Sequence, residues 1–297
     1  MSHTLSAIIV NYNAGSLLRK CVDSLLACPL DIEIIVVDNA STDASLEILQ
    51  DLSQVCVIRN STNVGFAAAC NIGIGASSTP FLLFLNPDCF FEPDAIVTLM
   101  AGLQSGELVG MAGGLLVNED GTEQGGGRRA VPTPWRSFVR AFGLQRFSNR
   151  WPKLFYDFYL HKQPLPDNPI KVEAISGACM LVKRDAMEVV GLWDEGYFLH
   201  CEDLDWCMRF RQKGWQILFV PNARISHALG ACSQSRRVFV EWHKHKGMVR
   251  FYGKFFRHQY PGALMWLVTV GVWLRFSLAA VYLTVRRWLA SLGRIRG

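Results

Sequence analysis

The sequence has no C-x-x-C pair, no G-x-x-x-x-G-K-[ST] loop and no internal repeat of 20 to 50 residues, and each absence removes a class of function. Its nine cysteines, at positions 21, 28, 56, 70, 89, 179, 201, 207 and 232, are odd in number and mostly sit inside apolar runs. They read as small buried hydrophobes in a reducing compartment, not as a disulfide framework or a zinc cluster. The first apolar strand is followed by Asn11-Tyr12-Asn13-Ala14-Gly15 where a dinucleotide-dependent oxidoreductase would place G-x-G-x-x-G, so that class is disfavoured. The first residues carry no charged region followed by a long apolar one, and the expectation is a catalytic part that stays in the cytosol.

Charge is also scarce and uneven. Only 19% of the 297 residues are charged, half are hydrophobic, and the mean hydropathy of +0.18 is high for a freely soluble enzyme. From Arg236 onward there are 12 Lys and Arg against one acid, Glu241, whereas residues 1 to 235 hold 18 basic and 24 acidic groups. An acidic body with a basic, apolar tail points to an anionic surface such as phospholipid headgroups. The tail's aromatics lie within apolar sequence and offer no polar stacking platform, so nucleic acid is not the expected partner.

What is present is a regular alternation. Apolar runs at Ser6 to Asn11, Ile32 to Asp38, Val55 to Arg59 and Phe81 to Asn86 read as strands buried on both faces. Helical periods between them, at Ser16 to Cys28, about Asp43 to Leu52 and about Phe66 to Ala76, complete β-α-β-α-β-α-β. This predicts an α/β fold around an open, mostly parallel sheet flanked by helices. Residues 102 to 169 read as a long glycine- and aromatic-rich excursion and residues 175 to 183 as a returning strand. A helix at about 203 to 212, strands at 216 to 220 and 224 to 227, a basic helix at 236 to 256 and an apolar tail follow.

Ligands of such sheets bind at the carboxyl ends of strands, and here every strand ends in polar groups: Asn11-Tyr12-Asn13, Asp38-Asn39, Arg59-Asn60 and Asn86-Pro87-Asp88. Each is also an ordinary turn former. Asp88, stiffened by Pro87, suits a divalent cation bound to a diphosphate, or caps the helix that follows. Glu202 and Asp203 lie among aromatics that raise carboxylate pKa values as a general base requires, or complement a helix dipole. His227 matters only beside a carboxylate.

The runs AIIVNYN, VVDNASTD, Asn63-Val64-Gly65-Phe66, FLNPD, SGACMLVKR and WDEGYFLHCEDLDWCMRFRQKGW, followed by ARISH, together resemble glycosyltransferase family 2. Within it the likeness is to the rhamnosyltransferase-like branch of bacterial cell-surface polysaccharide synthesis, over about residues 5 to 255. The resemblance implies a GT-A fold and inverting transfer of a sugar from a nucleoside-diphosphate donor to a glycan or lipid-linked acceptor, with Mg²⁺ or Mn²⁺. Asp38 then matches the base reader, and Asn11, Tyr12, Asn13, Asn39, Asn63, Gly65, Asn71, Asn86, Gly177, Trp193, Asp194 and Glu195 fall in nucleotide-sugar-binding segments. Asp88 matches the last acid of the family's D-x-D motif, with Asn86 in place of the first acid, and His227 matches a further metal ligand. Asp203, beside Glu202, matches the catalytic base. A non-catalytic sugar-nucleotide-binding or membrane-scaffold protein of the same fold is the competing expectation.

The boundary suggested by composition is a transferase domain over residues 1–235 (nucleotide half to about 100, acceptor half beyond) and a membrane-associating tail over 236–297. Residues 262 to 285 would make a helix of about 36 Å, enough for a hydrocarbon core of roughly 30 Å. Yet Arg275 falls near its middle and both flanks are basic, which favours an interfacial or re-entrant segment on the cytosolic face.

Overall fold

The computed structural model describes residues 3–228 and 236–295, and side chains to residue 290. Strands β1 (Leu5–Asn11), β2 (Ile32–Asp38), β3 (Val55–Arg59) and β4 (Phe81–Leu85) pair in parallel in the order β3-β2-β1-β4. Helices α1 (Ser16–Leu26) and α2 (Phe66–Gly75) cross between them. The chain runs outward from β1 to β3 and returns to β4 on β1's other side. That reversal opens a crevice at the carboxyl ends of β1 and β4.

Side chains of period two divide the core into two layers. Ile8 and Val10 of β1, Ile35 and Val37 of β2, and Leu82 and Phe84 of β4 face one apolar cluster. Leu5, Ala7 and Ile9, Ile34 and Val36, and Leu83 and Leu85 face the other, where α1 contributes Leu18, Cys21, Val22 and Leu25. Each Val, Leu, Ile or Phe among them contributes roughly 1.5 to 3 kcal/mol when fully buried. Only β3, at the sheet's edge, is largely exposed, which departs from the expectation of burial on both faces. Eight of the cysteines are free and six of these are buried, while Cys232 lies outside the described residues.

The expected helix at 43 to 52 is one turn of 3-10 helix, Glu47–Leu49. Asp43 accepts hydrogen bonds from the Ser45 amide and hydroxyl, at 3.1 and 2.5 Å, and from the Gly15 amide at 2.9 Å. Such side-chain bonds compete with the helical ladder.

Beyond β4 come β5 (Cys89–Phe91), α3 (Ala95–Gln104), β6 (Val109–Val117), β7 (Arg128–Arg129), α4 (Pro134–Ala141), β8 (Ile170–Lys171), β9 (Ala174–Ile175), β10 (Cys179–Lys183), α5 (Arg184–Val190), α6 (Glu202–Gln212) and β11 (Gln216–His227). The sheet continues β4-β10-β6-β11-β5, with β10 antiparallel to both neighbours and β6 parallel to β11. The expected excursion from 102 to 169 is therefore interrupted by a central strand. All nine residues of β6 are buried. Its glycines, which read as loop, are there for close approach: a Cβ on Gly114 would lie 2.4 Å from the Ala223 carbonyl oxygen. The strand anticipated at 175 to 183 is split into β9 and β10 by Ser176-Gly177-Ala178, and β9 pairs with β7 in a separate two-stranded sheet.

Helix α7 (Arg237–Phe255) is not a tail. Phe251, Tyr252 and Phe255 share a core cluster with Ile8 and Trp206, so packing does not break at residue 235. What leaves the body is α8 (Gly262–Ile295), long and apolar enough over Gly262–Ala290 to cross a membrane and mostly exposed. Its first half packs against α7 through Trp242 with Trp273 and Phe276.

Gly114→Val drives two methyl groups into the β6–β11 seam, and overpacking of this kind costs about 1 to 3 kcal/mol. We expect a fall of several degrees in melting temperature, read by calorimetry, while a melt at the wild-type temperature would refute the seam's tightness.

Candidate active site

Four strand ends and two loops build the site. At the end of β1, the fully buried Asn11 donates through Nδ2 to Asp38 Oδ1 at 2.7 Å, Ser41 Oγ at 3.0 Å and Ser45 Oγ at 2.9 Å. Its Oδ1 has no hydrogen-bond partner among the described residues. Asp38 also accepts from the Ser41 amide at 3.0 Å and hydroxyl at 2.5 Å. Asn13, at φ +54°, accepts from the Thr42 amide at 2.7 Å, which shapes the same pocket from above. Tyr12 carries the Arg236 guanidinium 5.8 Å from its ring centre.

Next to it, Asn39 donates to the Gly65 carbonyl at 3.2 Å and accepts from Asn60 at 2.9 Å. Asn63 accepts from the Gly65 amide at 3.0 Å. Gly65 has φ +89°, and a Cβ there would lie 2.7 Å from the Phe198 carbonyl oxygen. Glycine is required on both counts.

Past β4, Asp88 is buried and its Oδ1 lies 3.2 Å from His227 Nε2. His227, at the end of β11, meets Gln124 Oε1 through Nδ1 at 2.6 Å and Asn86 Nδ2 through Nε2 at 3.4 Å. A donor on Nδ1 suits the glutamine oxygen, which leaves the Nε2 lone pair turned to Asp88. Two acceptors then face one another with no hydrogen bond to Asp88 Oδ1. Potential ligand atoms of Asp88, Cys89 and His227 lie within 4.8 Å of one another, but the Cys89 thiol donates to Ala178 O at 3.2 Å and burial pushes its pKa well up. The carboxylate and the imidazole are groups that could hold a divalent cation.

The second acid group lies across the β9–β10 break. Asp203 Oδ2 accepts from Arg129 Nη2 of β7 and from the Gly177 amide at 3.1 Å, and Oδ1 accepts from the Leu204 amide at 2.7 Å. A Cβ on Gly177 would come within 3.1 Å of Asp203 Cβ. One residue on, the Ala178 carbonyl accepts from the Asn86 amide at 3.0 Å. The three-residue break thus touches the Asp88 turn with one residue and Asp203 with the next.

Other sequence candidates are engaged elsewhere. Asn71 clamps the 193–195 turn, donating to Trp193 O at 3.0 Å and Glu195 Oε1 at 2.8 Å and accepting from the Trp193 amide at 3.0 Å. Trp193 is buried against Phe66, Phe84 and Trp206. Asp194 pairs with Arg250 at 2.8 Å and Lys254 at 2.7 Å on α7; burial opposes ionisation, but these cations hold its pKa at about 2. These residues anchor the 193–195 loop against α2 and α7. Conversely, sequence reading missed Arg129, hidden in a run taken for loop, and Gln124, an isolated glutamine with no motif around it.

Residues 6–191 match the sequence profile of glycosyl transferase family 2. The chain belongs to that family. It is 28% identical over 240 residues, 76% of each protein, to N-acetylglucosaminyl-diphospho-decaprenol L-rhamnosyltransferase of Mycobacterium tuberculosis. To rhamnosyltransferase WbbL of Escherichia coli it is 24% identical over 257 residues, 80% of this chain and 88% of WbbL. The mannosyltransferase PcManGT of Pyrobaculum calidifontis, solved with GDP-Man and Mn²⁺, superposes with TM-score 0.58 at 14% identity, over 99% of this chain and 80% of that one. GalNAc-T7, solved with UDP, GalNAc and Mn²⁺, gives 0.57 at 20% identity over 76% of this chain and 44% of that one. The fold is GT-A.

In this glycosyltransferase Glu202 is buried beside Asp203, with Oε2 unpartnered. Desolvation first, and the Asp203 charge second, raise its pKa from 4.5 to about 8. The folded chain therefore keeps a proton that the unfolded chain releases, and this contribution to stability is complete below the unfolded value and lost as pH rises to the folded one. We expect Glu202→Gln, free of ligand, to lose less stability than wild type between pH 5 and pH 8 in thermal melts. Equal slopes would acquit Glu202.

Proposed function

We propose that this enzyme transfers a deoxyhexose such as rhamnose, with inversion, from a nucleoside-diphosphate donor to a glycan or lipid-linked saccharide in cell-surface polysaccharide synthesis. The observation that carries this is that one three-residue break, Ser176-Gly177-Ala178, binds the Asp203 carboxylate through the Gly177 amide and the turn that holds Asp88 through the Asn86 amide. The rhamnosyltransferase relatives support the sugar, and the mycobacterial one, named for a diphospho-decaprenol substrate, supports a lipid-linked acceptor.

Asp38, with Asn11 and Asn13, holds the base and ribose, and Asn39, Asn63 and Gly65 shape the pocket's second wall. The orphaned, buried Asp88 Oδ1 facing the His227 lone pair fits a divalent cation, Mg²⁺ or Mn²⁺. When bound, such an ion neutralises the leaving diphosphate as a Lewis acid. The acceptor oxygen attacks the anomeric carbon, the bond from that carbon to the diphosphate oxygen breaks with its electrons leaving on the diphosphate, and the acceptor proton passes to Asp203. Glu202, kept neutral by burial, adds no second negative charge, and Arg129 pairs with the Asp203 carboxylate. The catalytic body works on the cytosolic face, with α8 as its membrane-associating segment.

General-base removal lowers rate by about 10² to 10⁴-fold. Asp203→Asn should therefore abolish transfer in a radiolabelled-sugar assay and leave donor affinity, by calorimetry, within a few-fold of wild type. Turnover at the wild-type rate would remove Asp203 from the role of base, whereas no transfer by wild type itself would favour a non-catalytic binding protein. Asp88→Asn should bring nucleotide-diphosphate affinity in Mn²⁺ down to the level wild type shows in a chelator, and an undiminished metal response would displace the cation from this site.

A further inference from the structure

Residues 134 to 155 hold five basic residues, Arg136, Arg140, Arg146, Arg150 and Lys153, and no acid. Arg136 and Arg140 are neutralised by Glu173 and Asp157. Arg146, Arg150 and Lys153 make no ion pair among the described residues; Arg146 and Arg150 lie over the rings of Phe147 and Trp151, at 4.9 and 5.2 Å. Around them Trp135, Phe138, Phe142, Phe147, Trp151 and Leu154 are all exposed, Phe142 by 65%. A soluble surface does not gather six large apolar side chains without a partner.

The position of this patch says which partner. Tyr252 of α7 donates to Ser137 of α4 at 2.6 Å, and Tyr260, just before α8, joins Trp135, Arg136, Lys153 and Leu154 around a groove of about 760 Å³. The aromatic and basic patch thus adjoins the start of the apolar α8. Tryptophan with arginine or lysine beside an apolar helix is the composition of the headgroup layer of a bilayer.

We infer that residues 134–155 form a second membrane-docking surface, which lies at headgroup depth on an anionic phospholipid bilayer where α8 begins. The inference goes beyond the transferase reading and does not depend on it. Two separated attachments fix the body's rotation on the membrane, which a single helix leaves free.

The test binds the full-length protein to vesicles of phosphatidylcholine alone and of phosphatidylcholine with phosphatidylglycerol, with flotation verifying that all protein is bound. Amide hydrogen exchange is then followed at residues 144 to 155. Protection on the mixed vesicles and not on the pure ones is expected. A juxtamembrane basic residue is worth roughly fivefold in binding to an anionic surface. Replacing Arg146, Arg150 and Lys153 by serine should thus lower partition onto mixed vesicles on the order of 100-fold at low salt, spare the pure vesicles, and leave the melting temperature unchanged. Unprotected amides on fully bound mixed vesicles would overturn the inference without touching the transferase reading. So would protection that needs an added isoprenoid diphosphate, because the patch would then be an acceptor-lipid site.

Discussion

The Ala178 carbonyl accepts the Asn86 amide at 3.0 Å and the Cys89 thiol at 3.2 Å, one residue from the amide that meets Asp203. β10 holds this junction in place by pairing antiparallel with β4 from Cys179 onward. β9, on the other side of the break, is held by β7, which carries Arg129. A shift of either strand by one residue would reverse its side chains and carry the Ala178 carbonyl or the Gly177 amide away from Asn86 or Asp203. The site is therefore fixed by backbone pairing, with side chains completing it.

That constraint explains which residues can be charged where. The Arg129 side chain is only 15% exposed, and a guanidinium so largely withdrawn from water calls for a paired anion. Asp203 supplies it. Glu202, next in sequence, has no such partner, and the same burial keeps its proton on. Burial thus keeps the Glu202 carboxyl neutral beside the carboxylate that Arg129 pairs.

Much of this was legible in the residues. The first four strands read correctly to within a residue or so because their apolar runs are dense and end in polar groups. Asp88 and Asp203 stood out because acids at strand ends and beside aromatics have few structural uses. β6 did not, since glycines demanded by close approach to Ala223 look like loop when only one chain segment is in view. The 43–52 segment failed for the opposite reason: its helical period was real, but Asp43 and Ser45 had local hydrogen bonds to make instead. Trp193 and Asp194 share a motif with Glu202 and Asp203, and a linear pattern does not distinguish residues offered to a ligand from those that pin the loop.

The relation of α7 to α8 bears on how the enzyme meets lipid. Trp242 touches Trp273 and Phe276, and His245 lies 5.6 Å from Phe276, so residues 273 to 276 run alongside the middle of α7. Were α8 to cross the bilayer from Gly262 with that packing kept, it would draw Lys244 and Lys246 of α7 toward the hydrocarbon, at about 2.5 to 3.5 kcal/mol for each central charge. Lying in the interface, α8 keeps those lysines and Arg275 at headgroup level and still buries Leu274, Leu278, Val281 and Val285, all exposed in the isolated chain. The in-plane arrangement satisfies the packing and the charges together.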